Sequence, residues 1–540
     1  MHRLFKAFVV ALCLAGITFA KKHPREYQLE KRLEHIKKHL NTKIVGRQLN
    51  NTTPMYYAKN ISLPIDYSNP EYGNYSNQYF VMDTFYKPGS PIMIFDPGEV
   101  NDAEAFTNYM TGDWSFFHAY LKEFSAMGIV WEHRYYGKSK PFPVTINTTS
   151  EHMRFLTMES ALKDVEVFAN QFEWNGNAVN PKKVPWVLAG ASYSGQRMAM
   201  LRDLYPETFY AAYASSAPMQ FVYNYDTYFE VVYRGVVAAG FKNCTEHVRL
   251  AIDYIDGQLK NPDTAAKIKI QFLGRTADKG TNAGFSDWLT YPWWGFQTSG
   301  VADEENDDVI LPWCNWLAAE APPPNYDNVG KFYSDRWAAW PEFYQLVNNN
   351  NDFGYCEGPI YNASATPDCQ IDAIFDGDFG ISWTWQYCTE MSDLIPMNLK
   401  PGDHRIGSIY DTIEHQQQVC YNQFKDGLSS GYLPKKPETD RMNKWTNGWH
   451  IRPSNVFWTA GEFDPYRPLT LLSTEDWSPK FRITQDIPKC GVPTDSETVF
   501  GYIVPGAAHA YDWLHFPESA YPNELFAKAL REWLKCFVPK

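Results

Sequence analysis

Three residues in this chain have the types and settings needed for attack by a serine hydroxyl on a carbonyl carbon: Ser192, Asp464 and His509. Ser192 follows the apolar run 184–189 and precedes an apolar helical pattern over 196–201, with Gly190, Ala191, Tyr193, Ser194 and Gly195 around it. Strand, tight turn and helix in that order fit a nucleophile elbow, in which the residues two before and two after the nucleophile must be small. Such a turn holds the hydroxyl exposed and aims the next backbone N–H, that of Tyr193, at a developing oxyanion. The competing reading is a small-residue turn that only lets a helix pack closely. Ser194 as nucleophile would put Gln196 where a small residue is required, which excludes it.

A serine hydroxyl is a poor nucleophile until a base takes its proton. His509 can do so near neutral pH and return the proton to the leaving group. Asp464 would fix the imidazole tautomer and stabilise its cation. Asp464 follows the strand-like run 455–460, and His509 follows the run 498–504. Taken singly, an Asp before Pro465 is a turn residue and a His in a Gly/Ala loop is polar surface. Taken together, Ser, Asp and His past three buried strands, in that order, form a triad at the edge where parallel sheets gather their chemistry. His515 is the nearest rival base, but it follows aromatic residues rather than a strand end.

The elements that must position these groups alternate between strand and helix. Residues 79–86 are rich in β-formers, and 91–95 and 128–133 read as strands, the former apolar on both faces. Residues 160–172 carry Leu162, Val165, Phe168 and Phe172 on one helical face. The elbow follows, then a strand over 209–215. That alternation is the signature of a parallel sheet. From 220 to 449 the pattern changes to an aromatic stretch broken by Pro and Gly, with helical patches over 246–259, 331–347 and 412–424 and six cysteines. The sheet pattern resumes at 455, and a last amphipathic helix carries Leu525 to Phe537, with Asn523 as its expected N-cap. The expected organisation is therefore a signal peptide (1–20), a charged arm or propeptide (21–45), a first core part (46–219), a helical insertion (220–449) and a second core part (450–540). The fold class is α/β, an α/β-hydrolase core with a large, mainly helical, disulfide-bearing insertion.

Residues 1–20 have a basic start, an apolar centre and small residues before position 21, the pattern of an export signal. No later run is long enough to span a bilayer. The formal net charge of −13 argues against a nucleic-acid partner. Cys244, Cys314, Cys356, Cys369, Cys388, Cys420, Cys490 and Cys536 remain beyond the signal, an even number that implies four disulfides of open pairing. No spacing suggests a metal, and no cofactor is expected. Sequons at Asn50, Asn51, Asn60, Asn74, Asn147, Asn243 and Asn362 fit a glycoprotein that is secreted or held in a vacuole or lysosome.

The chain resembles the serine peptidase family of lysosomal Pro-X carboxypeptidase, dipeptidyl peptidase II and fungal prolyl endopeptidases. The matching stretches are Glu132-His-Arg-Tyr-Tyr-Gly137, Phe155-Leu-Thr with Ala161-Leu162, Gly190-Ala-Ser-Tyr-Ser-Gly195, Ala214-Ser-Ser-Ala-Pro218, Gln386-Tyr-Cys-Thr-Glu390, Gly461 with Asp464-Pro465, and Gly506-Ala with His509. The resemblance implies a triad of Ser192, Asp464 and His509 in a cleft between the core and the insertion. It also implies peptide or protein substrates cut after proline or a small residue, and a monomer or homodimer. Gly98-Glu-Val-Asn stands where the family has Gly-Asn-Glu-Gly, so Gly98 and Glu99 hold the place of the second oxyanion donor. Tyr466 stands where a Trp usually follows Asp-Pro, and Gln196 occupies a position near the S1 pocket. Both are expected to line the substrate pocket and make it more polar, with Trp383 and Trp385 as candidate walls. An esterase or lipase of the same fold and a catalytically impaired binding glycoprotein are the alternatives. A lipase is disfavoured because its run of oxyanion glycines is missing.

Overall fold

The computed structural model describes residues 56–301, 309–350, 355–359, 364, 366–397, 404–514 and 517–540. The expected signal peptide and arm, the sequons at Asn50, Asn51 and Asn362, and His515 lie outside these residues.

Nine strands form one mixed sheet. In chain order they are β1 (Tyr57–Pro64), β2 (Asn74–Met82), β3 (Ile92–Asp96), β4 (Met127–Trp131), β5 (Trp186–Ala191), β6 (Ala211–Ser215), β7 (Val456–Gly461), β8 (Arg482–Thr484) and β9 (Thr498–Val504). Their order across the sheet is β1-β2-β4-β3-β5-β6-β7-β9-β8. The first two pairings, β1 with β2 and β2 with β4, are antiparallel. Every later pairing is parallel. Strands β3 to β7 are buried along their whole length. This is why they read as continuous apolar runs rather than alternating ones.

The pleat sorts their side chains into two layers. Ile94, Ile129, Leu188, Ala214 and Trp458 face one side. There they meet Leu162, Val165 and Phe168 of α2 (Met158–Gln171) and Met198 and Leu201 of α3 (Tyr193–Leu204). Met93, Phe95, Val187, Tyr213 and Phe457 face the other. There they meet Leu121 of α1 (Phe116–Glu123) and Phe526, Leu530 and Trp533 of the C-terminal helix Ala520–Leu534. Helices on both faces of a largely parallel sheet make this an α/β-hydrolase core.

The Asn523 expectation is corrected. The last helix begins at Ala520, so Asn523 lies inside it. Its amide donates to the Asp512 carbonyl at 3.0 Å and accepts the Tyr213 hydroxyl at 3.1 Å. Buried tertiary partners thus claim a side chain that local propensity assigns to a cap.

The stretch 220–449 divides between two cores. Its first part includes α4 (Thr227–Ala238), α5 (Lys242–Leu259) and α6 (Val329–Ala338) and builds a hydrophobic cluster of its own. The helix expected over 331–347 breaks at Pro341, which opens a new helix, Pro341–Asn350. The second part includes α7 (Asp378–Gln386), a π-helical turn (Tyr387–Met391) and α8 (Ile413–Gln423). It packs through Trp383, Trp385, Met391 and Phe424 into the same cluster as α2 and α3.

The eight cysteines described pair as Cys244–Cys314, Cys356–Cys369, Cys388–Cys420 and Cys490–Cys536. The first two staple the insertion's own core, and the third clamps the π turn to α8. The fourth ties the segment between β8 and β9 to the C-terminal end of the chain. No helix among the described residues is long and apolar enough to cross a membrane.

Candidate active site

Ser192 stands at the carboxyl end of β5, where the chain turns abruptly into α3. Its backbone lies at φ 62° and ψ −130°, a strained setting for a non-glycine residue. The turn is held by its N–H, which donates to the Ser215 carbonyl at 2.8 Å. It also depends on Gly190, where a β-carbon would come within 2.5 Å of the Ser194 carbonyl oxygen. In the run 186–202, Ser192 is the only residue that is not buried. Ser194, the excluded rival, is buried, and its hydroxyl both donates to and accepts from the Ala191 backbone at 2.8 and 2.9 Å.

Asp464 follows β7 and His509 follows β9, two neighbouring strands on the same sheet edge. His509 Nδ1 lies 2.7 Å from Asp464 Oδ1. A carboxylate can only accept, so Nδ1 carries the proton and Nε2 keeps its lone pair. Nε2 is buried and has no hydrogen-bond partner. Asp464 is wholly buried, and the Tyr466 N–H also donates to Oδ1 at 2.8 Å. The two loops meet because residue 461 is glycine: a β-carbon there would sit 2.0 Å from the Ala508 carbonyl oxygen. The insertion holds the histidine loop as well, since the His509 N–H donates to the Gln297 carbonyl at 3.1 Å.

The loop after β3 backs onto the elbow. A β-carbon on Gly98 would lie 3.4 Å from Ser194 Cβ. One part of the sequence expectation changes here: the Gly98 N–H already donates to Asp96 Oδ1 at 2.8 Å, so it is not directed at an oxyanion. Asp96 Oδ2 accepts from Arg197 Nη1 of α3 at 2.5 Å. Burial raises the Asp96 carboxyl above its ordinary range, and the Arg197 cation opposes that shift. Glu99, next in the loop, is buried.

The four expected pocket residues separate. Tyr466 packs its ring 5.3 Å from the His509 ring and donates its hydroxyl to Asp393 of the insertion at 2.6 Å. Trp383 meets the Tyr193 ring edge-on at 5.5 Å. Trp385 is corrected: it turns into the core cluster shared with α2 and α3, against Phe424 at 5.0 Å. Gln196 is corrected too. It is buried, and its amide donates to the Pro218 carbonyl at 2.5 Å, so it braces α3 against the segment after β6.

No role for Gln297, Asp393, His133 or Gln386 is legible in the sequence alone, although His133 and Gln386 fall within the matching motifs. A single-sequence signal for them exists only as polar residues inside otherwise apolar stretches. The sequons at Asn60, Asn74, Asn147 and Asn243 are all exposed.

The family model described as serine carboxypeptidase S28 matches residues 66–298. A protein of Arthroderma benhamiae described as a probable extracellular serine carboxypeptidase is 24% identical, over 93% of this chain and 71% of its own length. The lysosomal Pro-X carboxypeptidase of Bos taurus is 23% identical over 86% of this chain and 85% of its own. That of Pongo abelii is 29% identical over 73% and 74%. The chain is thus similar to serine carboxypeptidase S28 over residues 66–298, and its relatives, named as carboxypeptidases, support a serine peptidase.

Proposed function

We propose that this protein is a secreted or lysosome-type peptidase that cleaves after proline or a small residue through an acyl-enzyme on Ser192. The observation that carries the reading is the buried His509–Asp464 bond of 2.7 Å with an open Nε2, on the strand edge where Ser192 is the one residue of its run that is not buried. In this reading Nε2 takes the Ser192 proton as Oγ bonds to the scissile carbonyl carbon. The N–H groups of Tyr193 and Glu99 receive the oxyanion. His509 then protonates the leaving amine, and water repeats the sequence to release the acid. The aromatic surroundings of Tyr466 and Trp383 favour a compact apolar side chain on the acyl side. The four disulfides between Cys244 and Cys536 fit an oxidising compartment.

Profiling the oxidised protein against a library of blocked and unblocked peptides tests the substrate. Enrichment of Pro, Ala or Ser at the acyl position supports the proposal. Cleavage without that enrichment removes the specificity and leaves the peptidase. Blocking one terminus at a time distinguishes removal of C-terminal residues, removal of N-terminal dipeptides and internal cutting.

A further inference from the structure

We propose that Gln386, contributed by the insertion, is a positioning residue for the oxyanion-binding N–H of Tyr193; this rests on the reading of Ser192 as nucleophile. The two residues meet within a continuous chain of hydrogen bonds. The Tyr136 hydroxyl donates to Gln386 Oε1 at 2.5 Å. Gln386 Nε2 donates to the Tyr193 hydroxyl oxygen at 2.7 Å. The Tyr193 hydroxyl lies 2.9 Å from His133 Nε2, and His133 Nδ1 lies 2.6 Å from the Arg134 carbonyl.

Every direction in the chain is determined. A carbonyl accepts, so His133 Nδ1 bears the proton. Burial, then the nearby Arg197 and Arg134 cations, hold His133 well below the ordinary imidazole range, so the ring is neutral. Its Nε2 therefore accepts from the Tyr193 hydroxyl. That hydroxyl's proton is used, so its oxygen accepts from Gln386, whose other end must then be the oxygen facing Tyr136. All four side chains are buried. In that low-dielectric setting a satisfied network fixes geometry, and one missing member leaves an unpaired group.

The anchored residue is the one beside the nucleophile. Tyr193 opens α3, and its backbone N–H is among those at a helix start that have no intrahelical acceptor. Its ring is fixed on the remaining sides, edge-on to Trp383 and with the Arg197 guanidinium 5.7 Å from the ring centre. The insertion sets its own end of the chain firmly. Gln386 is the last residue of α7, the π turn follows directly, and Cys388 two residues on is disulfide-bonded to Cys420. π turns of this kind concentrate where a helix must re-aim a functional group. The insertion thus acts on the reaction through Tyr193.

The test compares wild type with Gln386→Leu and Gln386→Glu, with kcat normalised to the Ser192 hydroxyl titrated by a fluorophosphonate. Gln386→Leu is expected to lower kcat by about 10- to 100-fold with KM within about twofold, since the oxyanion donor acts in the transition state. In Gln386→Glu, the protonated carboxyl can replace the amide donor, so kcat is restored at acid pH. It falls as the new carboxyl ionises, because Tyr193 then donates to it and His133 Nε2 loses its donor. Wild-type kcat in Gln386→Leu, a wild-type pH profile in Gln386→Glu, or a loss of kcat that only follows a lowered Tm overturns the proposal. Hydrolysis by Ser192→Ala overturns the underlying reading instead, so the two failures are distinct.

Discussion

Asp96 and Arg197 form an ion pair in which neither side chain is exposed, with Arg197 Nη1 2.5 Å from Asp96 Oδ2. The second Asp96 oxygen holds the Gly98 N–H. One carboxylate therefore joins the end of β3, the loop beside the elbow, and α3.

Removing either partner leaves a buried charge without compensation. Asp96→Ala is expected to cost about 3–5 kcal/mol of unfolding free energy, measured by urea denaturation with the disulfides intact. The loop at Gly98 loses its acceptor as well, so activity falls by more than the unfolded fraction explains. A loss under about 1 kcal/mol counts against the pair as a structural joint.

Gly461 is the contact point of the aspartate and histidine loops. Gly461→Ala places a carbon against the carbonyls of Ala507 and Ala508 and must push the His509 loop away. A displacement of about 1 Å at a catalytic base costs on the order of 100-fold in rate. The expected result is a fall in kcat of that size in a protein that still unfolds cooperatively. Activity within about threefold of wild type contradicts the role given to this contact.

Asp411, in the insertion, bears on stability as a function of pH. Burial first, and then the negative charge of Asp287, raise its carboxyl well above the ordinary range. Gln416 Nε2 donates to Asp411 Oδ1 at 2.8 Å, and His415 Nε2 lies 4.0 Å from Asp287 Oδ2. The folded state therefore binds a proton that the unfolded state releases above about pH 3.9. Its contribution is complete below that value and is lost as pH rises toward the raised folded value. Asp411→Asn keeps the neutral shape, so it is expected to raise Tm near pH 7 and change it little near pH 4. The size is on the order of 2 °C for each kcal/mol removed. Thermal scans at the two pH values check it, and a larger gain at pH 4 contradicts it.

The elbow could be read before the fold because its constraint is local. Small residues around Ser192 are needed within one turn, and Gly190 shows the steric reason. Asp464 and His509 could be read as strand-end residues, but their 2.7 Å bond depends on β7 and β9 being neighbours. The chain through Gln386, Tyr193 and His133 could not be read at all. Its bonds span 193 and 60 positions, and each residue taken alone is an ordinary buried polar side chain. The orientations of Gln196 and Trp385 escape the sequence for a related reason. Nearness in sequence to the nucleophile or to a motif does not say which way a side chain turns, and Pro218 and Phe424 take these two elsewhere.

The most direct measurement is covalent labelling of the folded protein with a fluorophosphonate, followed by peptide mapping of the adduct. The account predicts one adduct per chain, on Ser192, absent in Ser192→Ala, retained in Ser194→Ala and slowed by at least about 1,000-fold in His509→Ala. An adduct on another serine, or labelling of Ser192→Ala at the wild-type rate, contradicts it.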